Sequence, residues 1–140
     1  MGLRRIIFRG KDAVNGEWYY GDLVRSRING QCFIHTYNAD GIYIRAFEVV
    51  PETVGQYTGL KDDKGSAIYE GDIIDIYDSE YETHDKNEVA FKNGVFGVAN
   101  WTGNLTTLFF FMRNSGDSEY SVEVVGNVYD NKELLEDKEL

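Results

Sequence analysis

Four dipeptides, Asn15-Gly16, Asn29-Gly30, Asp40-Gly41 and Asn93-Gly94, constrain this chain more than any other feature. Asn and Asp tolerate, and Gly favours, the positive φ angles of a tight hairpin turn, so each pair marks a place where the chain doubles back. The first three separate segments of strand length, EWYYGDLVRSRI, QCFIHTY and IYIRAFEVV. An antiparallel meander follows. In the third segment Ile42, Ile44 and Ala46 alternate with Tyr43, Arg45 and Phe47, predicting a strand covered on parts of both faces. Ten tyrosines and eight phenylalanines favour such pleated, half-buried surfaces over long helices.

Pro51, the only proline, interrupts this pattern. It biases Val50 towards extended backbone and suits the first position of a helical turn, so PETV reads as one turn ending at Gly55. The stretch VGQYTGL, Val54 to Leu60, is then a crossover in which Gly55 and Gly59 supply conformational freedom. A turn at Asp62 to Gly65 leads into the strand GDIIDIY, with Ile73 and Tyr77 on one face and Ile74 and Ile76 on the other. Further strands are expected at NEVAFK, VFGVANW, TTLFFFM and EYSVEVVGNVY, with DSEYETHDK as an exposed acidic loop. The last segment, DNKELLEDKEL, opens on the cap-type residues Asp130 and Asn131 and predicts a short surface helix anchored by Leu134 and Leu135. The predicted fold is mainly β, a meander over residues 1–50 leading into a small barrel over 51–129, with a short C-terminal helix over 130–140. The 140 residues suffice for a single domain.

One phrase occurs twice. Tyr19-Tyr20-Gly21-Asp22-Leu23-Val24 returns as Tyr69-Glu70-Gly71-Asp72-Ile73-Ile74. Two copies do not make a repeat architecture, and a Gly-Asp pair entering an apolar run reads as the start of a tightly curved strand.

Charge limits the partners. The net charge is −10, of which the first fifty residues carry +2 and the remainder −12. Such a surface opposes direct nucleic-acid binding, which depends on Lys and Arg displacing counterions; it reads as a solvated acidic surface, with a face aimed at a basic protein partner as the alternative. No run reaches the roughly 18 apolar residues that span a bilayer, so no membrane association is expected. The lone Cys32 and the absence of an apolar leader region point to the cytoplasm.

Catalytic signatures are missing. There is no dinucleotide fingerprint, phosphate loop or nucleophile elbow. Cys32 and His35 have opposite strand parity, so a buried cysteine and an edge histidine are expected, and zinc is not. Glu70, Asp72 and Asp75 are the best candidate metal cluster, for magnesium, but Asp72 and Asp75 would diverge on a strand. Trp18, Tyr19, Tyr20 and Trp101, with Arg25, Arg27 and Arg45, form a candidate ligand-binding set that could stack and charge-pair a nucleotide; the same aromatics also suit core packing. No cofactor is implied.

The run VPETVGQYTGLKDDKGSAIYEGDIIDIY, with VEVVGNVYDNKELLE at the far end, resembles the YopX-like family of phage and prophage proteins. FRGKD and WYYGDL align as well, although the family commonly has FRAWD where Gly10 and Lys11 stand here. The resemblance implies a predominantly β, barrel-like fold and marks Pro51, Gly55, Tyr57, Gly59, Gly65, Tyr69, Gly71 and Asp72 as structural motif positions. It carries over no catalytic residues. The implied function is that of a non-enzymatic phage accessory protein binding a host or phage component. A nucleotide-sequestering protein and a metal-dependent enzyme built on the acidic cluster are the alternatives. Homo-oligomerisation is expected too, because QCFIHTY and TTLFFFM read as open edges without protecting lysines.

Overall fold

A computed structural model describes residues 3–99, 104–112 and 119–136. The chain forms two compact units, Met1–Gly59 and Leu60–Leu140. Both are antiparallel β-structures, as the turn spacing predicts.

Unit one is a meander of β1 (Phe8–Lys11), β2 (Trp18–Arg25), β3 (Cys32–Tyr37) and β4 (Tyr43–Val49), followed by a 3-10 turn at Pro51–Thr53 and then β5 (Gly55–Lys61). Its strands lie in the order β4-β3-β2-β1-β5. The two ends of the meander meet where Asp12 bridges to Val49 and the Val50 amide donates to the Lys11 carbonyl at 2.8 Å. Thr53 secures this closure by accepting from the Lys11 amide at 2.9 Å and donating to the Val50 carbonyl at 2.6 Å. Cys32, Ile34 and Val49 form the core, packed by Phe8, Tyr19, Leu23 and Val54.

Three expectations change here. VGQYTGL carries the chain from unit one into unit two, but as strand: Gly55–Lys61 is β5, and the change of direction is confined to the turn at Pro51–Thr53. QCFIHTY is not an edge, since β3 lies between β2 and β4. IYIRAFEVV is covered only in its second half, with Ile42, Tyr43 and Ile44 all exposed. A β-bulge opposite Thr36 and Tyr37 breaks its alternation, so Tyr43 stands beside His35 and Tyr37 whereas Arg45 lies over Phe47.

Unit two begins with the end of β5 and its hairpin partner β6 (Ala67–Tyr69). Then come β7 (Asp72–Asp78), β8 (Thr83–Glu88), β9 (Ala90–Lys92), β10 (Val95–Ala99), β11 (Leu105–Thr107), a 3-10 turn at Leu108–Phe111, β12 (Tyr120–Asn127) and α1 (Glu133–Glu136). Two three-stranded sheets result, β12-β7-β8 and β11-β10-β9. Among the described residues their pairing does not close into one ring. Ile68, Ile74, Ile76, Val89, Val98, Leu108 and Val122 form the core.

Two local readings are corrected in this unit. DSEYETHDK is a turn followed by strand, because Thr83–Glu88 pairs along β7. LFFFM is not strand beyond Thr107. An extended run of consecutive apolar residues would send half of them outward, whereas a 3-10 turn sets residues three apart on one side. Leu108 and Phe111 thus pack on the core, and Phe109 is 61% exposed.

Short polar side chains open the turns. Asp12, Asn38, Asp62, Asp78 and Asn127 each accept a hydrogen bond from the amide two residues on. This local competition with the strand ladder explains why Asx residues punctuate the sequence. The duplicated phrase, by contrast, has two different structures. Gly71 precedes β7 with φ +93°, while Gly21 sits inside β2 where a Cβ would lie 1.9 Å from the His35 carbonyl oxygen. One glycine serves a turn and the other a close approach of two strands.

Candidate functional site

The aromatic and arginine residues of unit one do not converge. Tyr19 stacks on Phe47 with ring centroids 3.7 Å apart and planes 6° from parallel, and the Arg45 guanidinium lies 4.4 Å from the same ring. With both neighbours in place the faces of Phe47 are taken by the protein's own side chains. Trp18 and Tyr20 point to the other side of β2, where the buried Arg9 lies 4.8 Å from the Trp18 ring centre. Arg25 and Arg27 border an open hollow at the β2–β3 turn together with Ser26 and Gly30. Trp101 lies outside the described residues. Cys32 is buried, as its strand parity predicts, and its thiol donates to the Gly30 carbonyl.

The outer face of this unit carries a polar contact of its own. The Tyr37 hydroxyl donates to the Asp22 carboxylate at 2.8 Å, and this bond, with the nearby negative charge, raises the phenol above its ordinary value of 10.0.

The acidic cluster also separates. Asp72 is buried and accepts from the Tyr69 amide at 2.7 Å, locking the turn that leads into β7. Asp75, on the opposite face of the strand, contacts His84 Nδ1 at 2.7 Å. Among the described residues no group of three or more His, Cys, Asp or Glu side chains is placed to hold a metal ion. Two further carboxylates hold backbone amides. Asp62, next to Gly65, accepts from the Lys64 and Ser66 amides with one oxygen and from the Val124 amide with the other, and Asp63 accepts from Val122. These carboxylates stand in for a strand along the edge of β12.

A feature with the geometry of a binding site among the described residues is a cavity of about 400 Å³ in unit two. Cross-strand pairing sets its sheet wall: Tyr120, Asp78 and Thr83 form one row across β12, β7 and β8, and Val122, Ile76 and Asp85 form the next. Asn87 continues the polar strip along β8, donating to Asp85 at 2.9 Å. Val98 and Thr106, partners across β10 and β11, supply the opposite wall, and Phe110 and Phe111 close it from the 3-10 turn. The rings of Phe110, Phe111 and Tyr120 cluster within 6 Å of one another, centroids 5.1 to 5.8 Å apart. The cavity thus has an aromatic side, a carboxylate and hydroxyl side, and an apolar floor. Its size and mixed lining are those of a small-ligand or side-chain pocket.

None of these lining residues belongs to the sets chosen from sequence. The signal was present as the alternation Thr83-x-Asp85-x-Asn87, which is legible only if the segment is strand. Beyond the pocket on β8, Glu88 lies where burial pushes its carboxyl above the ordinary value of 4.5; Lys92 opposes that shift and Glu70 adds to it.

Two antiparallel units with turn-docking carboxylates define a small, mainly β protein with a cavity of mixed lining in its second unit. The YopX protein family matches residues 7–136, and the chain belongs to it. The crystal structure of protein yopX from Bacillus subtilis is similar at TM-score 0.61 and 23% identity, over 92% of this chain and 97% of that one. A crystal structure of an Enterococcus faecalis protein is similar at TM-score 0.60 and 23% identity, over 95% of this chain and 99% of that one. At these identities the likeness concerns the fold. No curated protein matches the chain.

Proposed function

We propose that this YopX-family protein acts by stoichiometric binding, with its recognition site in the cavity of unit two. The observation that carries this reading is the pocket itself: about 400 Å³ of space with Asp78, Thr83 and Asp85 on its sheet wall, Thr106 on the wall opposite, and the rings of Phe110, Phe111 and Tyr120 around it. A core under pressure only to be stable fills such a space, and does not border it with carboxylates that must be kept hydrated or paired. The phage or prophage accessory role implied by the family resemblance fits a small protein that acts by occupying a partner. Self-association belongs to the same reading, through β4, the outer strand of its sheet, whose Tyr43 and Ile44 are exposed together with the preceding Ile42.

The alternatives draw less support. For a nucleotide, Phe47 is already stacked and Arg25 and Arg27 open elsewhere. For a metal enzyme, Asp72 and Asp75 are engaged on opposite faces.

The test is affinity capture from host cells with the tagged parent and with Thr106→Leu, which fills the cavity. A partner retained by the parent and lost by the variant is the expected result; capture by both alike sinks the cavity as recognition site.

A further inference from the structure

Asn15-Gly16, Asn29-Gly30, Asp40-Gly41 and Asn93-Gly94 all place glycine at positive φ, but their turns are not equally restrained. The Gly16 amide donates to the Asp12 carbonyl at 3.1 Å, the Gly30 amide to the Ser26 carbonyl at 3.0 Å and the Gly41 amide to the Asn38 carbonyl at 3.0 Å. The first two asparagine side chains are tied as well. Asn15 Oδ1 accepts from the Glu17 amide at 2.8 Å, and its Nδ2 donates to the Tyr19 hydroxyl at 3.4 Å. Asn29 Oδ1 accepts from the Gln31 amide at 3.0 Å, and its Nδ2 donates to Gln31 Oε1 at 2.8 Å. Asn93-Gly94, the turn that joins Lys92 of β9 to Val95 of β10, differs. Among the described residues neither the Asn93 side chain nor the Gly94 amide makes a hydrogen bond, and both residues are exposed. Asn93 is itself left-handed, at φ +54°, a conformation that disfavours any residue with a Cβ and that Asn15 and Asn29 avoid.

We propose that Asn93 is a site of spontaneous covalent modification, converting to an isoaspartyl linkage. The Gly94 backbone nitrogen attacks Asn93 Cγ, the bond from Cγ to Nδ2 breaks, and the proton of the attacking amide leaves with Nδ2 as ammonia. Water then opens the five-membered succinimide. Addition at Cγ gives aspartate, and addition at the former main-chain carbonyl gives isoaspartate, with the chain running through Cγ. Glycine permits the attack because no Cβ shields its nitrogen. The fold adds the choice among the three Asn-Gly pairs. To bring the nitrogen to Cγ a turn must leave its native conformation, and this costs least where no hydrogen bond is lost and a left-handed asparagine is released. At Gly16 and Gly30 a backbone bond and the side-chain ties must break first. The product bears on the hairpin, because isoaspartate adds a carbon to the main chain of a two-residue turn. That turn sets the register of Lys92 with Val95 and of Phe91 with Phe96, whose ring centroids lie 4.9 Å apart.

The experiment is ageing of the full chain in mildly alkaline buffer, folded and in urea, followed by peptide mapping with a fragmentation that tells isoaspartate from aspartate. In the folded chain Asn93 should convert at least about fivefold faster than Asn15 or Asn29, the factor that one hydrogen bond to be broken supplies. Isoaspartate should be found among its products. In urea the three rates should converge, since each asparagine is followed by glycine. The aged folded chain should melt below the fresh parent, whereas fresh Asn93→Asp, which adds the charge on an unaltered main chain, should melt with it. Equal rates at the three asparagines of the folded chain overturn the proposal. So does the same preference for Asn93 in urea, which would trace it to neighbouring side chains and not to the turn. Aspartate without isoaspartate at this position, or an aged chain that melts with the parent, removes the effect on the hairpin.

Discussion

Asp62 and Val124 lie 62 residues apart, and the Asp62 carboxylate accepts the Val124 amide proton at 2.9 Å. The other Asp62 oxygen holds the Lys64 and Ser66 amides, so one buried side chain both shapes the β5–β6 turn and docks it against β12. Removing a charged acceptor from three amides leaves donors unpaired. Asp62→Ala should therefore cost about 2–4 kcal/mol in urea unfolding, whereas Asp40→Ala on an exposed turn should stay within about 0.5 kcal/mol. Equal effects would show that the docking of the turn contributes nothing.

Gly71 adopts φ +93° immediately before β7, with its amide donating to Val89 and its carbonyl accepting from Val128. A β-branched side chain there is strained whatever the surrounding space, so Gly71→Val should destabilise by about 1–3 kcal/mol. A parent-like melting temperature would contradict the turn geometry.

The 3-10 turn makes opposite demands on adjacent residues. Leu108 is 1% exposed and Phe109 61%. Leu108→Ala should lose about 2–5 kcal/mol through the cavity it leaves. Phe109→Ser should be close to neutral, within about 0.5 kcal/mol. Similar losses at both positions would indicate that the segment is strand after all.

Glu88 gives a pH dependence of known sign. Burial disfavours its ionised form, Lys92 offsets part of this and Glu70 adds to it, so its folded-state pKa lies above 4.5. The native state then binds the proton more tightly than the unfolded chain, and this contribution is full below the unfolded pKa and lost as pH rises through the folded one. Glu88→Gln should gain stability relative to the parent at about pH 7 and lose that advantage near pH 3. The gain should be small, since solvent reaches the carboxylate and screens it. A variant less stable than the parent at neutral pH would reverse the assignment.

Self-association through β4 is checked by light scattering. The parent should be a dimer or larger, and Ile44→Lys should shift it towards monomer by placing a charge on the exposed outer strand. A parent monomeric at about 100 µM, well above the affinity of a specific dimer, removes the claim.

The local chemistry of the chain was sufficient to define its turns. Asn15-Gly16, Asn29-Gly30, Asp40-Gly41 and Asn93-Gly94 all adopt positive φ at glycine, and Pro51 starts the turn expected of it. These outcomes depend on residues adjacent in sequence, whose φ preferences hold in any fold. Strand parity was legible for the same reason: Ile74 and Ile76 face the core, and Asp72 and Asp75 diverge. Pairing was not legible. That QCFIHTY is interior, that VGQYTGL is strand and that LFFF coils depend on which neighbours compete for the same backbone groups and apolar surface. The duplicated Gly-Asp phrase makes the limit plain, since identical local chemistry serves a turn at Gly71 and a tight strand contact at Gly21. The pocket lay furthest from reach. Asp78 and Asp85 on one hairpin, Thr106 on β11 and Tyr120 on β12 become neighbours only through pairing and packing, because a cavity is defined by atoms that no single segment contains.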